Sequence, residues 1–178
     1  MKRVLENASR RRLLRGKLAQ KIPPHRLPWI KSENTFTTLC NQCGDCLATC
    51  ENNIIKTDES GFPFVDFAQD ECTFCGKCQE VCHQPLFIDK NLVKADKIYP
   101  WPATITINNK CLAQNNILCQ SCQDVCDPRA ITFSHKTSSI PEPTVNVTDC
   151  NQCGACISTC PQQAISLTLN NSFETSHA

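Results

Sequence analysis

A small, loop-rich α+β fold made of two tandem modules is what this sequence predicts. Three observations carry the prediction: sixteen cysteines in 178 residues, their grouping into four quartets, and short alternating apolar runs on either side of those quartets. Cysteine makes up about 9% of the chain, a fraction at which cross-linking replaces much of the oily core. Large apolar side chains are scarce, with one tyrosine, two tryptophans and eight phenylalanines. Hydrophobic burial alone does not hold modules of this size together.

The quartets form an internal repeat. Cys40-Asn-Gln-Cys43-Gly-Asp-Cys46-Leu-Ala-Thr-Cys50 returns as Cys150-Asn-Gln-Cys153-Gly-Ala-Cys156-Ile-Ser-Thr-Cys160, with eight of eleven positions identical. Between them stand Cys72, Cys75, Cys78 and Cys82 at the same spacing, and an irregular quartet, Cys111, Cys119, Cys122 and Cys126, in which seven residues separate the first two cysteines. Alternating runs at 62–67, 104–107 and 144–147 precede three quartets, and 130–133 and 164–167 follow two; all read as short strands. Residues 47–50 and 157–160 predict short helices, so the unit is strand, cysteine loop, short helix, strand.

Gaps of 21 residues between Cys50 and Cys72 and 23 between Cys126 and Cys150 contrast with 28 between Cys82 and Cys111, where Tyr99-Pro100-Trp101-Pro102 lies. The chain is expected to divide there. Residues 1–35 read as a basic head, helical over 8–20 and stopped before Pro23-Pro24. Residues 36–92 are a first module with quartets one and two, 93–108 a linker and strand, 109–170 a second module with quartets three and four, and 171–178 a polar tail.

Cysteines at i, i+3 and i+6 on an irregular loop deliver three thiolates to three irons of one cubane, and the fourth iron takes a distant cysteine. In a C-x2-C-x2-C-x3-C run the fourth cysteine ligates the other cluster of the pair. The spacing therefore predicts modules of bacterial ferredoxin type organised around [4Fe-4S] clusters. Cys40, Cys43, Cys46 and Cys82 are expected to hold one cluster, and Cys72, Cys75, Cys78 and Cys50 its neighbour. By the same rule Cys111, Cys119 and Cys122 join Cys160, and Cys150, Cys153 and Cys156 join Cys126. Four clusters are expected, with three as the minimum because Cys111, Cys119, Cys122 and Cys126 depart from the regular spacing. Gly44, Gly76 and Gly154 each follow a second cysteine, where a residue without Cβ takes unusual dihedrals close to a cluster. Pro161 completes the Cys-Pro ending; Glu51, His83 and Asp127 stand there in the other quartets. Disulfides need an oxidising compartment, and zinc favours two separated pairs over a triplet; neither explains four quartets.

No other catalytic constellation stands out, and the chain reads as an electron-transfer or accessory protein without a catalytic site of its own. His25, His83, His135 and His177 are scattered. Asp45 and Lys77, inside cysteine loops, are placed to tune a cluster but read first as solvated charges, and Trp29 and Trp101, each beside proline, as packing anchors. Phosphate-loop and dinucleotide fingerprints are missing. Residues 1–35 carry a formal charge of +8 and the remainder −7; an acidic body repels phosphate, so nucleic acid is not the expected partner. An acidic protein surface suits the head better. No apolar run is long enough to span a membrane. Ser9-Arg10-Arg11-Arg12-Leu13-Leu14-Arg15 is similar to a twin-arginine export signal, but Lys17, Lys21, Pro23, Pro24, His25 and Arg26 occupy the stretch that would have to be apolar.

Ser9-Arg10-Arg11 near the start, Pro28-Trp29 before the first quartet, Cys50-Glu51-Asn52-Asn53-Ile54-Ile55 after it, and the seven-residue spacer between Cys111 and Cys119 together resemble the NapF family. These are ferredoxin-type accessory proteins of periplasmic nitrate reductase systems, and the resemblance covers roughly residues 8–170. It implies a cytoplasmic protein that assists maturation of the molybdenum-containing catalytic subunit before export; the clusters by themselves suit a redox partner as well. The rival expectations are a general polyferredoxin electron carrier, or an electron-transfer subunit of an oxidoreductase, with no client specificity, and an exported disulfide-rich protein.

Overall fold

In a computed structural model of the chain, residues 25–95, 97–135 and 139–170 are described. The helix expected over 8–20, the tail from 171 and His177 lie outside them. Each module is built around two cysteine loops. In the first, helix α1 (Glu33–Leu39) starts at Ser32, whose Oγ accepts the Thr35 amide at 3.1 Å, and buries Phe36. Single turns α2 (Asp45–Ala48) and α3 (Lys77–Glu80) follow the first and second cysteine loops, and β1 (Ile55–Thr57) pairs antiparallel with β2 (Pro63–Val65) between them. Helix α4 (Lys90–Ala95) leads out of the module.

The second module repeats the plan. Strand β3 (Ala103–Ile107) precedes a 3-10 turn (Ala113–Asn115) and α5 (Ser121–Asp124); β4 (Ile131–Ser134) and β5 (Glu142–Val145) form the inner hairpin. Helix α6 (Ala155–Thr159) and β6 (Ile165–Leu169) close it, β6 pairing antiparallel with β3 in the register Ile105↔Leu167. Alternation places Ala103 and Ile105 of β3, and Ile165 and Leu167 of β6, in the core.

The first module has its own counterpart of the β3–β6 pair, and the head supplies it. Ile30 bridges Phe87, the Lys31 amide donates to the Leu86 carbonyl at 2.8 Å, and the Ile88 amide to that of Trp29 at 2.9 Å. His25 bridges Val65 on the open edge of β2. The boundary expected at residue 35 is therefore corrected: residues 25–35 belong to the body, because without them two strand edges would have unpaired amides and carbonyls. Residues 103–107, expected as linker and strand, pair within the second module. The strand expected at 144–147 lies at Glu142–Val145, and Val147 is exposed. Strand β1 had no expectation. Helices expected over 47–50 and 157–160 begin earlier, directly after Gly44 and Gly154.

Arg26 explains how a basic segment enters the core. Its guanidinium makes a bidentate pair with Glu33 (2.9–3.1 Å) and donates to Asp58 Oδ2 at 2.8 Å and the Pro63 carbonyl at 3.2 Å. The same group lies 5.2 Å from the Phe36 ring centroid and 5.7 Å from that of Phe62, a double cation–π contact. At the seam between the modules, buried Trp101 meets Phe67 edge-on at 5.5 Å and Phe74 at 6.2 Å, and its indole N–H donates to the Arg26 carbonyl at 2.7 Å. His25 Nε2 donates to the Leu167 carbonyl at 2.7 Å, and burial lowers the pKa of its imidazole. The Tyr99–Pro102 stretch is thus the aromatic centre of the molecule.

Arg26→Ala should remove the charge that neutralises Asp58 and Glu33. Because Glu33 remains half in water, the expected loss sits at the low end for a buried pair, about 3 kcal/mol. Arg26→Lys should recover only a fraction of it, since an ammonium makes neither the bidentate pair nor the stacked plane. Anaerobic urea titrations of the cluster-loaded protein read both.

Candidate metal centres

Four cavities are lined by cysteine. Cys40, Cys43, Cys46 and Cys82 surround the first, with Leu27, Leu86 and Phe87 as apolar wall. Cys72, Cys75, Cys78 and Cys50 line the second, and Cys78 also reaches the wall of the first. The third is lined by Cys111, Cys119, Cys122 and Cys160, the fourth by Cys150, Cys153, Cys156 and Cys126. Each cavity therefore draws three cysteines from one loop and one from the partner loop of its module, and all sixteen fall into the four groups. Among the described residues no set of His, Cys, Asp or Glu side chains converges closely enough for a single ion; the cysteines stand around cavities instead.

The loops reach this arrangement through left-handed backbone at fixed places. Gly44, Gly76 and Gly154 have φ of +85°, +76° and +90° and start the turns that carry the third cysteine. The residue before each second cysteine in the regular quartets is also left-handed: Gln42, Phe74 and Gln152, with φ between 54° and 66°. Three residues after a fourth cysteine, Asn53, Arg129 and Gln163 do the same and close turns back to the carbonyls of Cys50, Cys126 and Cys160. The next amides, of Ala130 and Ala164, then donate to the sulfurs of Cys126 and Cys160 at 3.2 and 3.3 Å. A donor aimed at sulfur favours the thiolate that iron requires.

Gln152 is a functional residue that sequence reasoning missed. It is buried, its side-chain oxygen accepts the Trp101 amide at 3.2 Å, and its NH2 donates to the Ala103 carbonyl, so it moors the fourth loop to the seam. The Cys150-Asn-Gln repeat of Cys40-Asn-Gln gives no hint of this, because its equivalent Gln42 is exposed and reaches only the Ser60 carbonyl. Lys77 is ion-paired with Glu51 across the first two loops. Asp45, His83 and His135 are exposed, Asp45 at the rim of the first cavity. An open groove beside α1, lined by residues such as Thr35, Pro85, Phe87, Leu92 and Ile98, contains no cysteine.

The electrostatics show what metal loading has to overcome. Burial, with neighbouring cysteines adding to it, pushes the Cys78 and Cys156 thiols up to about 12 and those of Cys46, Cys72 and Cys122 up to about 11. Cys150 and Cys153 are raised in the same way, Cys153 also by the nearby Glu71 carboxylate. Thiols raised this far stay protonated at neutral pH unless cations compensate the thiolate. A soft, all-sulfur donor set of this kind suits iron–sulfur clusters.

The family of the 4Fe-4S dicluster domain matches the chain twice, over residues 39–84 and 117–164, the second match starting beyond Cys111. The chain is thus a ferredoxin-type iron–sulfur protein with multiple [4Fe-4S] clusters. It is 38% identical over 159 residues to the ferredoxin-type protein NapF of Escherichia coli K12, covering 89% of this chain and 93% of that one. To the ferredoxin-type protein NapF of Haemophilus influenzae it is 39% identical over 174 residues, covering 92% and 96%. The methylamine utilization ferredoxin-type protein MauM of Methylobacillus flagellatus is more distant, 28% identical over 165 residues, covering 83% and 68%. The chain belongs to the NapF family. No helix among the described residues is long and apolar enough to cross a membrane.

Loading should release protons from the thiols that burial holds protonated, Cys46, Cys72, Cys78, Cys122 and Cys156 foremost, because they bind as thiolates. The sign follows: the affinity for iron and sulfide rises with pH and falls on acidification. Anaerobic reconstitution in weak buffer, followed by a pH electrode, checks this, and loading that does not depend on pH would contradict it.

Proposed function

We propose that this chain assists maturation of the catalytic subunit of periplasmic nitrate reductase in the cytoplasm, before that subunit is exported. Four [4Fe-4S] clusters would serve it, ligated as the cavities group the cysteines: Cys40, Cys43, Cys46 and Cys82; Cys72, Cys75, Cys78 and Cys50; Cys111, Cys119, Cys122 and Cys160; Cys150, Cys153, Cys156 and Cys126. The observation that carries the reading is end-to-end similarity to proteins named NapF, at 38–39% identity, which spans the irregular third quartet as well as the regular ones. Its residues resemble no catalytic site; when bound, the clusters supply one-electron transfer. The chain's part is to hold them dry, to balance thiolate charge with amide donors, and to present a recognition surface.

Residues 1–35 are the proposed recognition element, on account of their charge of +8 beside a body of −7. Because residues 25–35 pack into the body, the test deletes residues 2–24 and keeps 25–35 in place. Protein purified without oxygen should contain about sixteen irons and as many acid-labile sulfides; about twelve would exclude the quartet with Cys111. In pull-downs with the nitrate reductase catalytic subunit, deletion of residues 2–24 should abolish capture while leaving the iron count unchanged. Capture that survives the deletion would remove the head from recognition, and absence of capture by the full chain would favour a general electron carrier.

A further inference from the structure

The second and fourth cavities meet across the seam. The Cys72 amide donates to the Cys153 carbonyl oxygen at 2.8 Å, so the first cysteine of the second quartet and the second cysteine of the fourth are joined by one backbone hydrogen bond. Beside it the Phe67 ring fills the place of a Gly154 side chain: a Cβ there would stand 2.1 Å from Phe67 Cδ1, on a residue with φ +90°. Glycine therefore lets the two loops touch. Inside each module the cavities are already neighbours. Cys78 lines both the first and the second, and α5 and α6, which carry Cys122 and Cys156, pack on each other.

We infer that the Cys72–Cys153 contact joins the four centres into one electron path, ordered first, second, fourth and third quartet, in place of two independent pairs. The inference rests on the cysteine ligation proposed above. The step across the seam is a one-electron exchange between a reduced cluster held by Cys72, Cys75, Cys78 and Cys50 and an oxidised one held by Cys150, Cys153, Cys156 and Cys126. No bond forms or breaks and no proton moves. The route runs from the Cys72 side chain to its N–H, across the hydrogen bond to the Cys153 carbonyl, and out along the Cys153 side chain. Its ends are the first and third quartets; Cys43 is exposed at the first, Cys75 equally so at the second, and exposed Ile117 and Leu118 precede Cys119 at the third.

Magnetic coupling across the seam tests the order. Full-length Cys153→Ala and Cys119→Ala chains each lose one centre and should keep about twelve irons. With all centres reduced, the first-module signals in electron paramagnetic resonance should narrow and saturate at several-fold lower microwave power in Cys153→Ala. Those of Cys119→Ala should match the unsubstituted chain. If Cys153→Ala does not hold its iron, Cys75→Ala against Cys43→Ala reads the same junction from the second-module signals. Equal saturation in the two variants of a pair, at full iron, would overturn the single path. Failure of the ligation reading is distinguishable, since it shows earlier, as a wrong iron count or missing [4Fe-4S] signals in the unsubstituted chain.

Discussion

Exchange of one cysteine between neighbouring loops is the constraint from which the rest of the architecture follows. Cys82 stands at the cavity of the first triplet and Cys50 at that of the second; Cys160 and Cys126 repeat the exchange in the other module. For each loop to hand over its last cysteine, the chain must cross between the cavities after every quartet. The β1–β2 and β4–β5 hairpins are those crossings, and the outer strands close the returning ends. Metal loading at such sites is also folding, because a cavity does not exist until both loops are in place.

Between the modules the chain uses a different means. Few apolar side chains are available, and those present gather where the modules meet: Phe67, Phe74 and Trp101, with Trp29 at 5.6 Å from Phe74. Aromatic rings bury much area for few residues, and Trp29 and Trp101 also place their indole N–H groups on carbonyls, of Ile98 and Arg26. Gln152 pairs with the Trp101 amide and the Ala103 carbonyl at this seam, and His25 Nε2 donates to the Leu167 carbonyl. Aromatic rings thus join the two units, while side chains such as Leu27, Phe36, Ile105 and Leu167 pack with the cysteines inside each one.

Much of this plan was legible in the sequence, for local reasons. Cysteine spacing and the glycines after Cys43, Cys75 and Cys153 are read from neighbours along the chain, and the alternation of 104–107 and 164–167 marks a strand pair whatever its partner. What escaped is set by distant contacts. Arg26 reads as one more solvated cation until Asp58, thirty-two positions on, and the rings of Phe36 and Phe62 surround it. Residues 29–31 do not alternate; Trp29 is left-handed (φ 59°), and only pairing with 86–88 lays Ile30 and Lys31 along that edge. The short β1 had a signal in Ile54-Ile55-Lys56-Thr57, and α1 had one in Ser32-Glu33-Asn34-Thr35, whose serine is a common cap. Left-handed Gln42, Phe74 and Gln152 had none, since those residue types do not announce the conformation.

The tie from His25 to Leu167 spans 142 positions, and the direction of synthesis gives that span a meaning. As the chain leaves the ribosome, residues 29–31 find their partners at 86–88 while the second half is still being made, so the first module can assemble early. His25 waits for Leu167, almost the last strand residue to emerge. Its imidazole thus finds its partner only once β6 has emerged, whereas Trp29 and Arg26 meet Ile98, Pro100 and Trp101 much earlier in synthesis.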